Sequence, residues 1–298
     1  MNKNKIAAVV VTYNRLPLLK ECVKRILAQT VGCDVLIINN ASTDGTEEWL
    51  AANDGGRVFH FRSSQNLGGA GGFNAGLRRA VESGYEYIWL MDDDCFPQSD
   101  ALEKLCEASR ALDGNFGWIS SAVLWVDGSP CRMNMPKLRR FCAKPDISGL
   151  VRANQATFVS LFVKADVVME YGLPIGDFFI WGDDIEYTRR IAVRGGRPCY
   201  VSAESAVIHA MSANTGSDIS RAPADRLGRY VYAFRNECYL YRQEGIAGIS
   251  YYAAKCAWNY IKILFIANGG KRKRISVLTE GIRKGISFDP AVEKLENR

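Results

Sequence analysis

The chain has 298 residues, with 38 Lys and Arg against 32 Asp and Glu, which gives a net charge of +6. Hydrophobic residues make up 48% and charged residues 23%. This is the composition of a folded protein, and it excludes a disordered tail, a collagen and a small disulfide scaffold. The length allows either two domains or one elaborated α/β domain.

The positive charge is concentrated towards the C-terminus. Residues 221–298 hold 15 basic and 7 acidic residues, net +8, so residues 1–220 carry −2. Such a segment indicates an anionic partner, either a membrane or a nucleic acid. Nucleic acid is disfavoured because the basic residues interleave with an apolar helical pattern and no recognition module is present.

Several features predict a cytoplasmic protein. The nine cysteines include no CxxC pair, which indicates reduced thiols and argues against a zinc site. The first apolar run, Ile6 to Val11, is too short for a signal peptide. The apolar stretch 246–268 is interrupted by Lys255 and Lys262, which disfavours a membrane-spanning helix.

The first 95 residues alternate between strand and helix patterns. Apolar runs predict strands at 6–12, 35–38, 58–61 and 87–91, and periodic apolar positions predict helices near 17–27, 46–52 and 70–83. Asp44, with Glu47 three residues later, predicts a cap for the second helix. This alternation implies parallel βαβ units, in which ligands bind beyond the carboxyl ends of the strands. The polar segments at those ends are 12–15, 39–44, 65–74 and 92–94.

The rest of the chain is less regular. Strands are predicted at 118–126, 156–163 and 199–202, helices at 185–194 and from Asp166, and a loop at 127–152. From Arg221 the pattern is helical to about residue 285. The predicted fold class is α/β, with a doubly wound, mainly parallel sheet, helices on both faces and a helical C-terminal extension at 221–298.

Asp92, Asp93 and Asp94 leave the fourth strand together. Carboxylates this close repel one another unless a cation or proton intervenes. A hard divalent metal with oxygen ligands, shared with a phosphate, would relieve that repulsion. The alternative is an acidic loop that caps the helix beginning near Asp100.

A second acidic group, Asp183, Asp184 and Glu186, follows the aromatic segment 178–181. Paired carboxylates beside aromatic rings suit a sheltered general base near a sugar. The alternative is a helix whose acidic first turn complements its dipole. His209 ends an apolar strand and can complete a metal site, whereas His60 is interpreted as structural.

The glycine-rich segment 66–74 precedes a helix and would let the backbone approach a ligand closely. It does not fit the dinucleotide pattern, because Asn74 stands where the third glycine belongs, and no P-loop ending follows. A packing turn is the alternative.

In 246–284, Lys255, Asn259 and Lys262 share a face and a basic run follows at 271–274, which suits an interfacial helix on anionic lipid. A core-packed helix with solvated charges is the other interpretation.

Taken in order, these segments resemble family 2 glycosyltransferases of the GT-A fold, over roughly residues 5–212. The matching segments are 9–15, 39–46, 66–68 with Asn74 and Gly76, the triple Asp, 181–184 and His209. Within the family they look most like the bacterial galactofuranosyltransferases. The resemblance implies a domain at 1–220, with a nucleotide-sugar half at about 1–95 and an acceptor half at about 96–220.

The resemblance also implies roles for individual residues. The residues implied to bind the nucleotide sugar are Thr12, Tyr13, Arg15, Asn40, Asn66, Gly68, Asn74, Asp92 and Asp93. Asp92, Asp94 and His209 would hold Mn²⁺ or Mg²⁺, and Asp184 would be the catalytic base, with Asp183 as the other candidate. Trp181, Phe179 and Glu186 would face the acceptor. Asn40 departs from the Asp that many members carry against uracil, and Gly182 is inserted before the Asp pair.

The implied activity is an inverting, metal-dependent hexosyl transfer from UDP-galactofuranose to a cell-surface glycan or lipid-linked saccharide, as in polysaccharide or lipopolysaccharide O-antigen biosynthesis. The enzyme would work in the cytoplasm, peripherally on the inner face of the plasma membrane through residues 246–284. The alternatives are a dTDP-rhamnose-dependent rhamnosyltransferase, a nucleotidyltransferase and a non-catalytic, membrane-associated sugar-binding protein.

Overall fold

A computed structural model of the protein describes residues 5–139, 149–211, 213–214, 216–267 and 269–296. Its strands are β1 (Ile6–Thr12), β2 (Asp34–Asn39), β3 (Val58–Arg62), β4 (Tyr87–Asp92), β5 (Cys95–Pro97), β6 (Ile119–Leu124), β7 (Lys137–Leu138), β8 (Leu150–Gln155), β9 (Leu161–Lys164) and β10 (Tyr200–His209). Its α-helices are α1 (Leu16–Leu27), α2 (Thr46–Asn53), α3 (Gly68–Glu82), α4 (Ala101–Ala111), α5 (Ala165–Tyr171), α6 (Asp183–Arg189), α7 (Arg229–Arg242), α8 (Gly245–Phe265) and α9 (Lys271–Ile286).

The strands form one sheet in the order β3-β2-β1-β4-β9-β6-β10-β8-β7, and β5 pairs with β10. The four N-terminal strands are parallel, as predicted. β9 is antiparallel to both β4 and β6, while β10 is parallel to β6. β1, β2, β4, β6 and β10 therefore point the same way, and their carboxyl ends lie at one edge of the sheet.

Helices cover both faces of the sheet, which confirms the doubly wound prediction. The sheet is mixed rather than mainly parallel, because among the described strands four pairings are parallel and five are antiparallel. In β1, Ala8 and Val10 face the layer of α1, α2 and α4, whereas Val9 and Val11 face the layer of α3, α5 and α6. Every residue of β1 is buried, as expected of a strand covered on both sides. The buried strand holds its C-terminal residue, Thr12, at a fixed position on the sheet edge.

The predicted strand at 156–163 is wrong in extent, because the chain leaves the sheet between β8 and β9. The Thr188 hydroxyl lies 3.3 Å from the amide nitrogen of Ala156 and 3.1 Å from its carbonyl oxygen, so a side chain takes the place of a neighbouring strand. A 3₁₀ turn at Phe158–Ser160 follows. Part of the predicted loop at 127–152, residues 140–148, lies outside the described residues.

Two other element boundaries and one predicted helix cap differ from prediction. The helix expected at 185–194 begins two residues earlier and ends in a π-helical turn, Arg190–Arg194. The strand expected at 199–202 passes a bulge after Ser202 and continues to His209. No reciprocal capping pair forms at α2, because Glu47 accepts from the Asn39 side chain at 2.7 Å.

The C-terminal region is helical, as predicted. α7, α8 and α9 pack on one another around a shared apolar core that includes Phe234, Tyr252, Ile263 and Leu278. Among the described residues, none of the helices combines the length and apolar character needed to cross a bilayer. The side of α7 that faces the sheet contacts the segment just before α6, and this contact brings the helical region to the site described next.

Candidate active site

Three carboxylates stand at the carboxyl end of β4. Asp92 is the last residue of the strand, and Asp93 and Asp94 form the buried turn that leads into β5. β5 then pairs with the end of β10, where Cys95 lies opposite His209. The predicted histidine and the predicted carboxylates are therefore brought together by a strand pairing that spans more than 100 residues of sequence.

The loop after β1 contacts the same carboxylates. The Thr12 hydroxyl donates a 2.7 Å hydrogen bond to Asp93 Oδ2. Arg15 Nη1 donates to Asp94 Oδ2 at 2.8 Å and to Asp93 Oδ1 at 3.3 Å. Two residues predicted to bind the nucleotide thus lie directly against the acidic turn.

The orientation of His209 also depends on Asn134 and Cys131, two residues that are not among the predicted site residues. Its Nε2 lies 3.1 Å from Asp94 Oδ1, and its Nδ1 lies 2.8 Å from Asn134 Oδ1. Since an amide oxygen and an ionised carboxylate only accept, both ring nitrogens carry a proton in the metal-free protein, and Nε2 is the nitrogen directed at the carboxylate. Cys131 Sγ donates to the same Asn134 oxygen at 2.9 Å. Both residues belong to the segment interpreted as an irregular loop, where no periodicity points to them.

The side chains at this position fit a divalent cation. Ligand atoms of Asp92, Asp94, Cys95 and His209 all lie within 4.8 Å of one another. Burial and the nearby carboxylates raise the pKa of the Cys95 thiol well above its usual value, so it stays protonated. Oxygen and imidazole ligands suit Mn²⁺ or Mg²⁺ better than a thiol does. Asp92, Asp94 and His209, the three predicted ligands, are therefore the better donor set.

The electrostatics of the cluster also favour a bound cation. Burial, reinforced by the charge of Asp94, raises the pKa of Asp92 to about 7. Burial raises the pKa of Asp93 to about 6, although Arg15 opposes this. At Asp94, the hydrogen bond and charge of His209 outweigh burial and lower the pKa. Two buried carboxyls that resist ionisation would be stabilised as carboxylates by a divalent ion.

Asn40 and Gly68 meet where α3 begins. Gly68 has a φ of +69°, a conformation that glycine adopts without strain, and Asn66 Oδ1 accepts from its amide at 2.8 Å. Asn40 Nδ2 donates to the Gly68 carbonyl at 2.9 Å. Asn40 is only 2% exposed, and its Oδ1 has no hydrogen-bond partner among the described residues. That oxygen needs a donor from a ligand or water.

Two other predicted nucleotide-sugar residues have different environments. Tyr13 is 45% exposed in the loop after β1. Asn74 is buried, and its Nδ2 donates to the Pro174 carbonyl at 2.8 Å, so it ties α3 to the segment before α6. This hydrogen bond gives Asn74 a structural role in packing α3 against that segment. Its role in ligand binding stays a prediction.

The predicted acceptor segment has an unusual backbone. Phe179, Trp181 and Gly182 have φ values of +63°, +65° and +92°. For non-glycine residues this conformation costs about 1–3 kcal/mol each and persists only where neighbours enforce it. Asn236 of α7 provides that restraint, because its Nδ2 lies within 3.1 Å of the carbonyl oxygens of Phe178, Ile180 and Trp181.

Aromatic residues of α7 extend the acceptor segment. The ring of Phe179 stacks on Tyr232 at 4.9 Å, and the ring of Trp181 meets the edge of Tyr230 at 5.1 Å. Tyr230, Tyr232 and Asn236 are not among the predicted site residues, because the charge pattern after residue 220 indicates a separate basic extension. The density of tyrosines in α7 was the available signal.

Asp183 and Asp184 begin α6. Burial and the charge of Asp184 raise the pKa of Asp183 well above its usual range, and the charge of Asp92 adds to this. Asp184 is half-buried, and burial raises its pKa to about 6. Its Oδ1 accepts from the Ile185 amide at 2.7 Å. At neutral pH, Asp184 is therefore the carboxyl of the pair that can accept a proton.

The prediction that Glu186 faces the acceptor is wrong. Its side chain is fully buried beneath α6, where Arg190 Nη2 contacts Oε2 at 2.6 Å and Arg194 pairs with Oε1. Arg190 also donates to the carbonyls of Tyr171 and Leu173. Glu186 lies in the same first turn of α6 as Asp183 and Asp184, but its side chain points inwards and anchors the helix to the core.

Comparison with known proteins relates this chain to glycosyltransferases. Residues 7–120 match the family model for Glycosyl transferase family 2. The chain is 29% identical over 259 residues to galactofuranosyltransferase GlfT1 of Mycolicibacterium smegmatis, covering 81% of this chain and 84% of that protein.

Solved structures share the fold at low identity. A structure of GalNAc-T7 with UDP, GalNAc and Mn²⁺ has a TM-score of 0.59 and 16% identity over 83% of this chain, which spans about half of that structure (52%). The mannosyltransferase PcManGT of Pyrobaculum calidifontis, solved with GDP-Man and Mn²⁺, has a TM-score of 0.56 and 14% identity to this chain. The match covers 96% of this chain and 76% of the mannosyltransferase chain.

Proposed function

We propose that this chain, whose residues 7–120 match the family model for Glycosyl transferase family 2, is an inverting, metal-dependent galactofuranosyltransferase that uses UDP-galactofuranose. The observation that carries the proposal is the joint position of Asp94, His209 and Arg15 at the end of β4, in a donor set that fits a divalent cation. The likeness to a galactofuranosyltransferase over 81% of the chain supports the choice of sugar.

The nucleotide lies, in this proposal, against the ends of β1 and β2. Asn40 Oδ1 is a buried acceptor to which none of the described residues donates, and the N–H at the pyrimidine edge of uracil supplies a donor. Thr12 and Arg15 hold Asp93 in place, so that its carboxylate can accept from the ribose. Tyr13, exposed beside them, is available to cover the base.

The reaction is a single displacement at the anomeric carbon. The acceptor hydroxyl oxygen bonds to C1 of the donor sugar while the C1–O bond to the diphosphate breaks, and UDP leaves with the electron pair. Asp184 takes the hydroxyl proton, which its pKa of about 6 allows at neutral pH. Asp92, Asp94 and His209 would hold a divalent cation, which offsets the charge that develops on the leaving diphosphate.

The acceptor is a cell-surface glycan precursor or a lipid-linked saccharide. Phe179 and Trp181, backed by Tyr232 and Tyr230, offer aromatic faces of the kind that pack on sugar rings. A lipid-linked acceptor would keep the enzyme at the inner face of the plasma membrane.

The test is transfer by the purified full chain from UDP-galactofuranose to a synthetic lipid-linked galactoside, with Mn²⁺ or with EDTA, and product detection by mass spectrometry. Product that requires Mn²⁺ supports the proposal. Product from dTDP-rhamnose alone would replace the donor and keep the mechanism. If no donor gives product although UDP binds, the non-catalytic alternative is favoured over this proposal, and release of pyrophosphate would indicate a nucleotidyltransferase.

Two variants test the assigned roles within the same assay. Asp184→Asn should abolish turnover and keep UDP affinity, because it removes the proton acceptor and leaves the nucleotide contacts intact. Asp94→Ala should weaken Mn²⁺ and UDP binding together. If Asp184→Asn instead loses UDP binding while its residual turnover persists, Asp184 is not the base, and Asp183→Asn becomes the variant that should stop catalysis.

A further inference from the structure

The solvent-facing side of α8 carries no charged residue. Its exposed residues of substantial size are Ile246, Ile249, Tyr251, Trp258, Ile261, Leu264 and Phe265, followed by Ile266 just beyond the helix. Ile246 and Phe265 are 84% and 82% exposed, near opposite ends of the helix. At 21 residues, α8 presents this apolar face over about 30 Å. An exposed apolar strip of this length marks a contact surface.

The two lysines of α8 point the other way. Lys255 pairs with Glu237 of α7 at 2.6 Å, and Lys262 pairs with Asp218 at 3.1 Å. Asn259, between them, is buried. These three residues share one helix face, as predicted, but that face packs against the rest of the protein. α8 therefore directs its polar stripe at the protein and its apolar residues at solvent.

A basic cluster adjoins the C-terminal end of the apolar face. α9 begins with Lys271, Arg272 and Lys273, all exposed, and its first turn contains no acidic residue. Lys271 Nζ donates to the Leu264 carbonyl at 2.7 Å, which brings the cluster against the end of α8. Cations at a helix N-terminus oppose the helix dipole, so an external anion at this place would relieve an unfavourable arrangement.

A cavity adjoins the exposed apolar face of α8. A cavity of about 270 Å³ opens between α7, α8 and α9. Ile249 and Ile286, 50% and 65% exposed, contribute to its lining together with Tyr252, Cys256 and Ile282. The exposed face of α8 thus continues into an apolar recess of the helical region.

We propose that the exposed face of α8 and the basic start of α9 form a docking surface for an anionic lipid bilayer. α8 lies in the plane of the interface, with Trp258 and Phe265 among the upper acyl chains and Lys271–Lys273 against lipid phosphates. Charge favours this occupant over a second copy, because the exposed face of α8 offers no acidic group to the basic cluster. The inference deepens the proposed function, since a lipid-linked acceptor would lie in the same membrane.

The test is flotation of the full chain with phosphatidylcholine vesicles, with and without one-third phosphatidylglycerol. We expect binding to the anionic vesicles. Trp258→Glu with Phe265→Glu should lower partitioning by about tenfold or more, because the charges lie where acyl contact is expected. Arg272→Glu with Lys273→Glu should lower binding to anionic vesicles by a similar factor and remove its dependence on salt.

Matched controls separate this surface from general effects. Val126→Glu places a carboxylate at another exposed apolar residue, and Lys20→Glu with Lys24→Glu makes the same charge change on α1. Both should bind vesicles as the unaltered chain does. All substituted residues are exposed, so unchanged thermal melting should accompany every variant. Equal losses in the controls would overturn the proposed surface.

A second measurement reports how deeply Trp258 inserts into the bilayer. Lipids brominated in the acyl chain should quench tryptophan fluorescence of the bound protein, and Trp258→Phe should remove most of that quenching while the protein still binds. Quenching that persists in Trp258→Phe would overturn the proposed orientation. A concentration-dependent dimer that is lost in Trp258→Glu with Phe265→Glu, without vesicle binding, would assign the face to a second copy and overturn the proposal.

The vesicle experiments contain no nucleotide or acceptor, so they stand apart from catalysis. The Trp258→Glu with Phe265→Glu variant should keep transfer to a water-soluble galactoside. A chain that binds vesicles and transfers no sugar would overturn only the proposed function. A chain that transfers sugar and ignores anionic vesicles would overturn only the docking surface.

Discussion

The Thr12 hydroxyl donates a 2.7 Å hydrogen bond to Asp93 Oδ2, across 81 residues of sequence and between the carboxyl ends of β1 and β4. Both residues are buried. The register of the two parallel strands pairs Val11 with Asp92, so the residues that follow them must meet at the sheet edge. This bond fixes the acidic turn from which Asp94 reaches His209.

Replacing Thr12 by Val should remove this restraint at nearly constant side-chain volume. Asp93 would lose a buried hydrogen bond, and we expect the free energy of unfolding to fall by about 1–3 kcal/mol. Urea denaturation measures the change, and UDP affinity should fall with it. Thr12→Ser keeps the hydroxyl and should retain both properties more closely. A Thr12→Val variant as stable as the unaltered chain would show that Arg15 alone positions Asp93.

Gly68 provides a second prediction because no side chain fits there. It has a φ of +69°, and a Cβ built on it would lie 2.0 Å from the Phe179 carbonyl oxygen. Gly68→Ala should therefore push the acceptor segment away from α3 and lower both stability and kcat/KM.

The neighbouring glycine supplies the matched control. A Cβ on Gly69 meets nothing within 4 Å, so Gly69→Ala should be tolerated. Thermal melting and transfer rate, measured on both variants, check the comparison. Equal effects of the two substitutions would refute the role given to the close approach at Gly68.

Much of the candidate site could be predicted because strand ends reveal themselves in a sequence. Thr12, Asp92 and His209 each follow a run of apolar residues, and parallel strands bring such ends to one edge. Asn134 could not be found this way. It lies in an irregular segment, and its role depends only on where that segment packs against His209.

Helix periodicity has a similar limit. It correctly groups Lys255 and Lys262 on one face of α8, but it cannot tell which face is buried. The partners Glu237 and Asp218 decide that, and they lie 18 and 44 residues away in sequence. The role of Asn236 depends in the same way on the approach of α7 to the segment before α6.

The raised pKa of Asp184 predicts the pH dependence of catalysis. A base must be ionised, and burial raises the pKa of this carboxyl to about 6. The value of kcat/KM should therefore fall as the pH decreases through about 6 and level off above it. Initial rates between pH 5 and about 8, at saturating Mn²⁺, measure the profile. If residual activity in Asp184→Asn shows the same acidic limb, the titrating group lies elsewhere.

Metal binding should release protons. Burial alone lowers the pKa of His209, but its hydrogen bond and attraction to Asp94 dominate and raise it to about 10 in the metal-free protein. A cation can bind Nε2 only after that proton leaves, so about one proton per Mn²⁺ should come from His209 at pH 7.5, with a further fraction from Asp92. Calorimetry in buffers of different ionisation enthalpy measures the number.

His209→Gln tests the source of those protons. This variant should bind Mn²⁺ more weakly and release about one proton fewer per ion. His60→Gln, at the only other histidine of the chain, should leave both values unchanged. Proton release that is the same in His209→Gln as in the unaltered chain would remove His209 from the ligand set.

Glu186 should be essential for folding stability and irrelevant to acceptor choice. Its side chain is fully buried and pairs with Arg190 and Arg194, so removing the charge leaves a buried cation without its partner. Loss of one member of such a pair costs about 3–5 kcal/mol, and Glu186→Gln should approach that cost in urea denaturation. Glu170→Gln breaks the exposed pair with Arg197 and should cost about 1 kcal/mol or less. At a temperature where Glu186→Gln remains folded, its KM for the acceptor should be unchanged. A stable Glu186→Gln variant with a raised acceptor KM would restore Glu186 to the acceptor side of the site.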